Sequence, residues 1–171
     1  MRTVILSLVD YIYWVNERLL DAAGALPPGA FVDATDVTSR DLRATLVHEL
    51  DVEWSWRLNV QGKPMEEWGP DEELRPEDYP DVASLREHWR RDEAEMRTWL
   101  DSLTDDALQA PTRSAFTRDA RPLWQYVLHV VTHAAQQQAD AATLLTRAGR
   151  SPGDIGYLEY VSVKEGRERT G

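Results

Sequence analysis

The stretch Leu128–Gly149, LHVVTHAAQQQADAATLLTRAG, decides how this chain is read. With Val127 just ahead of it, the apolar residues Val127, Val130, Ala134, Ala141 and Leu145 follow steps of three, four and seven, a spacing that one face of an α-helix uses and a strand cannot. Gly149 stands where a left-handed helix cap is expected. His129 and His133 lie one turn apart, roughly 40° from each other in projection, so their rings leave the same face. Gln137 and Asp140 continue that file along the edge of the apolar stripe. Such an edge is where a helical bundle can build a pocket, and two imidazoles there raise the question of a metal ion.

The same spacing recurs upstream. Val4, Leu8, Tyr11, Ile12, Val15, Leu19 and Ala22 predict a first helix, stopped by LPPG at Leu26–Gly29. Thr38 or Ser39 is the expected N-cap of a second helix, with Asp41 in its first turn and Leu42, Leu46, Val47, Leu50, Trp54 and Leu58 as its buried face. The acidic, proline-rich connection GKPMEEWGPDEELRPEDYPD, Gly62–Asp81, is long enough to cross a bundle. Ser84 and Glu87 have capping-box spacing, and Val82, Leu85, Trp89, Met96, Leu100 and Leu103 form a third stripe. SLTDDALQAP breaks it, and TRSAFTRDARPL, Thr112–Leu123, reads as a short hairpin or an irregular crossover. Pro122 suits the first turn of the fourth helix, and SPGDIGYLEYV adds one short helix. The expected fold is all-α: a four-helix bundle with long crossover connections and a short C-terminal helix, one domain over residues 1–163 with a flexible tail at 164–171.

Composition narrows the function. Nineteen Lys and Arg against thirty Asp and Glu leave a net charge of −11, which repels phosphate backbones and anionic lipid surfaces, so neither nucleic acid nor a membrane is an expected partner. With no cysteine, thiolate ligands, Fe–S clusters and a cysteine nucleophile are excluded, and histidine and carboxylate must carry any chemistry. The opening apolar run is interrupted by Asp10, Asn16, Glu17 and Arg18 and reads as mature structure; a cytoplasmic location is the expectation.

His48, in the middle of the second helix, is the candidate third imidazole beside His129 and His133, because Ala44, Thr45, Asp51 and Val52 leave room around it. Three histidines suit Zn²⁺, Ni²⁺ or Fe²⁺ and leave coordination positions open. His88, near Glu87, Arg91 and Asp92, reads as solvated. Glu49, Asp51 and Glu53 read as surface charge, or as partners for an imidazole N–H. No nucleophile elbow or phosphate-cradling glycine loop occurs.

Together YIYWVNERLLDAAGALPPGAF, RDLRATLVHELDVEWSW, PLWQYVLHVVTHAAQQQADAATLLTRAG and SPGDIGYLEYV resemble the DinB-like family of four-helix bundles across most of the chain. The resemblance implies a divalent metal near one end of the bundle, Zn, Ni or Fe, held by one histidine of helix two and a histidine pair at i, i+4 on helix four. It also implies homodimers, a small-molecule substrate and, in some relatives, transferase or isomerase chemistry with a low-molecular-weight thiol. By position His48 matches the helix-two ligand and His133 the first of the pair, but the second falls at Gln137. An amide oxygen is a weaker donor than imidazole toward Zn²⁺ or Ni²⁺. Three arrangements stay open: His129 replaces the missing ligand, Gln137 ligates through its oxygen, or the residues form a hydrogen-bonded polar pocket without an ion. The implied functions are a metal-dependent thiol S-transferase in stress response or detoxification, or a non-catalytic bundle that has lost its metal and acts by binding or dimerising.

Overall fold

The computed structural model describes residues 1–27, 29–33, 35–64 and 73–166. Four long helices form the core: α1 (Arg2–Gly24), α2 (Leu42–Val60), α3 (Val82–Ser102) and, after a short α4 (Asp105–Gln109), α5 (Leu123–Arg147); α6 (Tyr157–Lys164) closes the chain. The all-α bundle is as expected, with α5 packed along α1 and α2, and α3 packed against α1. Val15, Leu19, Leu46, Leu50, Leu85, Ala134 and Leu145 meet in its interior. Val4 does not join them: Ile5 takes the inward position and leaves Val4 62% exposed.

The helix starts differ from expectation in a consistent way. Asp41, not Thr38 or Ser39, caps α2, accepting from the Ala44 N–H at 2.7 Å, and Asp81 caps α3 by accepting from Ser84 N–H at 2.8 Å. A carboxylate satisfies an orphan N–H and also meets the positive end of the helix dipole, so it outcompetes a nearby hydroxyl. The C-terminus of α5 is as read, with Gly149 at φ 75° just beyond Ala148.

Part of the long connection, residues 65–72, lies outside the described residues. Its far end is fastened to α2 where the Leu74 N–H donates to Asp51 Oδ1 at 2.9 Å, and Tyr79 is buried against the core. The SLTDDALQAP break contains α4, capped by Thr104. Of the two readings of Thr112–Leu123, the hairpin is correct: β1 (Pro111–Thr112) pairs antiparallel with β2 (Arg121–Pro122). Asn59 of α2 holds the loop through the Ala115 N–H, and the Tyr126 hydroxyl bonds Thr117 at 2.9 Å. The loop thereby carries Phe116 onto Trp56, with ring centres 5.0 Å apart.

After α5 the chain returns along α1. Arg18 donates twice to the Pro152 carbonyl, at 3.1 and 2.7 Å, and the Tyr11 hydroxyl donates to the Ile155 carbonyl at 2.8 Å. Lys164 is the last residue of α6 and bonds Asp10 and Tyr160; the remainder of the expected tail, from residue 167 on, lies outside the described residues. No helix among the described residues is long and apolar enough to cross a membrane.

Candidate functional site

The antiparallel run of α2 against α5 brings His48 and His133 together, with ring centres 5.0 Å apart and planes at 76°. Two imidazoles bound to one tetrahedral ion at about 2.0–2.1 Å likewise have their ring centres about 5 Å apart. His133 Nδ1 is buried and has no hydrogen-bond partner among the described residues, which leaves a ring nitrogen free to ligate. Burial, then the charges of His48, His129 and Arg40, push His133 down to about 4. Burial and Arg40 also lower His48, against an opposing pull from Glu73. Both rings are therefore neutral near pH 7, the form a metal ligand needs.

His129 occupies a different place. It is exposed, its ring lies 6.3 Å from that of His133, and among the described residues its nearest ring neighbour is Trp56 at 4.7 Å. The 6.3 Å spacing is wider than the 5.0 Å of the His48–His133 pair. Among the described residues no group of three or more His, Cys, Asp or Glu side chains is arranged to hold a metal ion. Gln137, one turn beyond His133, is part-buried and offers an amide oxygen. The close pair is His48 with His133, Gln137 lies one turn beyond it, and His129 stands farther off.

Beneath this pair lies a polar network absent from the sequence reading. Glu49 and Glu53, expected at the surface, are 0% and 1% exposed and face the bundle interior. Trp89 Nε1 donates to Glu53 at 3.0 Å; Gln138 Nε2 donates to Glu49 at 3.0 Å and to the Ile12 carbonyl at 3.0 Å. Either way round, the Asn16 amide meets a carboxylate: Glu53 at 3.3 Å in one orientation, Glu49 at 2.8 Å in the other. Burial and the neighbouring Asp92 raise Glu53 to about 8, and burial with Glu53 raises Glu49 well above the usual carboxylate range. Next along the same file of α2, Arg57 pairs with buried Asp92 of α3. Glu49, Glu53 and Arg57 share one face at i, i+4, i+8; that periodicity is the signal by which the sequence could have disclosed them.

His88 is likewise not solvated. It is half-buried, with Nδ1 2.7 Å from the Tyr79 hydroxyl, because the connection folds Tyr79 down onto α3.

A four-helix bundle with an imidazole pair bridging two antiparallel helices defines the class of this protein. The chain belongs to the DinB family, which it matches over residues 1–169. No protein with a curated description matches it.

Proposed function

We propose that this DinB-family protein binds a divalent cation at one end of its bundle through His48 and His133, with the Gln137 amide oxygen and solvent as the remaining donors. The observation that carries this reading is the 5.0 Å edge-to-face pair with a buried, unpartnered ring nitrogen. Both imidazoles are held neutral by burial, so their lone pairs are available without proton release. A cation bound there would lower the pKa of a thiol and present it as thiolate, which is the activity expected of a small-thiol S-transferase. The chain has no cysteine, so the thiol must arrive as a co-substrate. His129, exposed beside the pair and lowered by burial, is placed to carry a proton to or from solvent.

A second reading is favoured by Gln137, which stands where a third imidazole is expected: a bundle that keeps the pocket, lacks resident metal and acts by binding or by pairing with a second copy. Titration of tag-free protein with Zn²⁺ or Ni²⁺ separates the two. The first reading expects one site per chain that is lost in both His48→Ala and His133→Ala, and affinity raised about 100-fold by Gln137→His. A protein that takes up neither ion, with a thermal midpoint unmoved by excess metal, would leave only the second.

A further inference from the structure

The inner face of α5 changes character beside the imidazole pair. Between Val131 and Leu145 its buried residues are Ala134, Gln138 and Ala141, so Gln138 is the one long side chain that this stretch turns fully inward. Alanines project too little to lock one helix against another by ridges and grooves. Smooth surfaces slide, and a slip of one residue moves a side chain by about 1.5 Å along the axis. His48 on α2 and His133 on α5 stand on the two helices that meet here, so a slip of that size would undo their 5.0 Å spacing.

Gln138 supplies the lock that the alanines lack. Its Nε2 lies 3.0 Å from Glu49 Oε1 on α2 and, on α1, 3.0 Å from the Ile12 carbonyl and 2.7 Å from the Asn16 amide. One side chain, 1% exposed, thereby ties three helices at a single level. The α2 end of the tie is the neighbour of His48 in sequence; on α5, Gln138 follows Gln137 and stands little more than a turn from His133. Glu49 and Gln138 face inward at the level where His48 and Gln137 are only part-buried. A hydrogen bond of 3.0 Å does not survive a slip of about 1.5 Å, so this tie allows one register only.

We infer that Gln138 is a positioning residue: its amide, held by Glu49 and the α1 main chain, fixes the register of α5 against α2 and through it the spacing of His48 and His133. A single buried polar side chain is the best-attested device for setting the register of packed helices, and it does so at some cost in stability. Gln138 touches neither imidazole; it acts through the helices that carry them. The inference rests on the cation reading only for why the spacing matters, since the spacing itself is present in the chain without an ion.

The test follows the nuclear Overhauser contact between the His48 and His133 rings in the full, chelator-treated chain, a direct reading of their spacing. Glu49→Met combined with Gln138→Met removes both partners of the tie while keeping their volume, a replacement that leaves stability close to that of the parent. In this double variant the ring contact should be lost although the bundle still unfolds cooperatively in urea; Gln138→Met alone, read in the same way, serves where the double replacement does not fold. Glu49→Gln keeps an acceptor oxygen for Gln138 and should retain the contact. Leu100→Ala, a core truncation on α3, which carries neither histidine of the pair, should retain it as well despite a cost of about 2–5 kcal/mol, and so separates register from general loosening. Zn²⁺ affinity should follow the ring contact, about ten-fold lower in the double variant and unchanged in the Glu49→Gln and Leu100→Ala proteins. A contact as strong in the double variant as in the parent, one lost equally in Leu100→Ala, or none in the parent would each overturn the inference. A parent that shows the ring contact, loses it with Gln138 and takes up no Zn²⁺ would sink the cation reading alone and uphold the role of Gln138.

Discussion

Glu53 carries a proton at neutral pH because its surroundings disfavour the charge. Burial dominates, the Asp92 and Glu93 carboxylates add to it, and the Trp89 and Asn16 hydrogen bonds only partly offset it. The group titrates near 4.5 when unperturbed and near 8 in the fold, so between those values the folded chain holds a proton that the unfolded chain has released. Its contribution to stability is full below 4.5 and is lost as pH rises through 8. The thermal midpoint should fall by roughly 5–10 °C from about pH 5 to about pH 8, and Glu53→Gln should make that slope shallower, leaving the part that Glu49 contributes, while keeping stability at the acid end within about 1 kcal/mol. A parent protein equally stable across this range would show that Glu53 ionises freely in the fold. Residue identity alone pointed to His48 and His133, since imidazoles are scarce and their spacing is specific. It did not point to Glu49 and Glu53, because glutamates one turn apart on a helix are ordinarily solvated, and only the helices around them remove the water. Gln138, the buried member of a run of three glutamines, was hidden for the same reason.

At the scale of elements, periodicity located the four long helices, since each has to turn one apolar face inward to be stable. Their ends were less readable, because several polar residues compete for each cap and small differences of geometry decide among them. Loss of the Asp41 side chain in Asp41→Ala should cost about 1 kcal/mol by urea unfolding, with Thr38→Ala near neutral, reversing the order the sequence implied. The return segment after α5 depends on Gly153. Its φ is +78°, and a Cβ there would stand 2.6 Å from the Arg18 guanidinium that holds the Pro152 carbonyl. Gly153→Ala therefore strains the backbone and displaces Arg18, at a cost of about 1–2 kcal/mol. Limited proteolysis should then cut between α5 and α6 faster than in the parent; an unchanged rate would mean that the Tyr11 hydrogen bond to the Ile155 carbonyl suffices to hold this segment.

Across the whole molecule, the Arg57–Asp92 pair joins α2 to α3 in the interior, with both side chains at most 4% exposed. Two charges taken out of water are tolerated together and not singly. Asp92→Leu should destabilise the bundle by about 3–5 kcal/mol by leaving a buried guanidinium uncompensated, whereas Arg57→Met with Asp92→Leu should recover most of that loss. A double variant as unstable as the single would mean that packing, not charge, governs the position.

By itself the sequence determined the all-α class, the count of long helices, the family and the two histidines that meet. These follow from spacing along one chain and from residue chemistry, both of which are local properties. The tertiary structure alone decided that His129 sits with Trp56, that two glutamates and an Arg–Asp pair are interior, and that the hairpin carries Phe116 onto Trp56. Those facts depend on which surfaces of separate segments face one another, and burial, field and contact are set by that neighbour as much as by the residue.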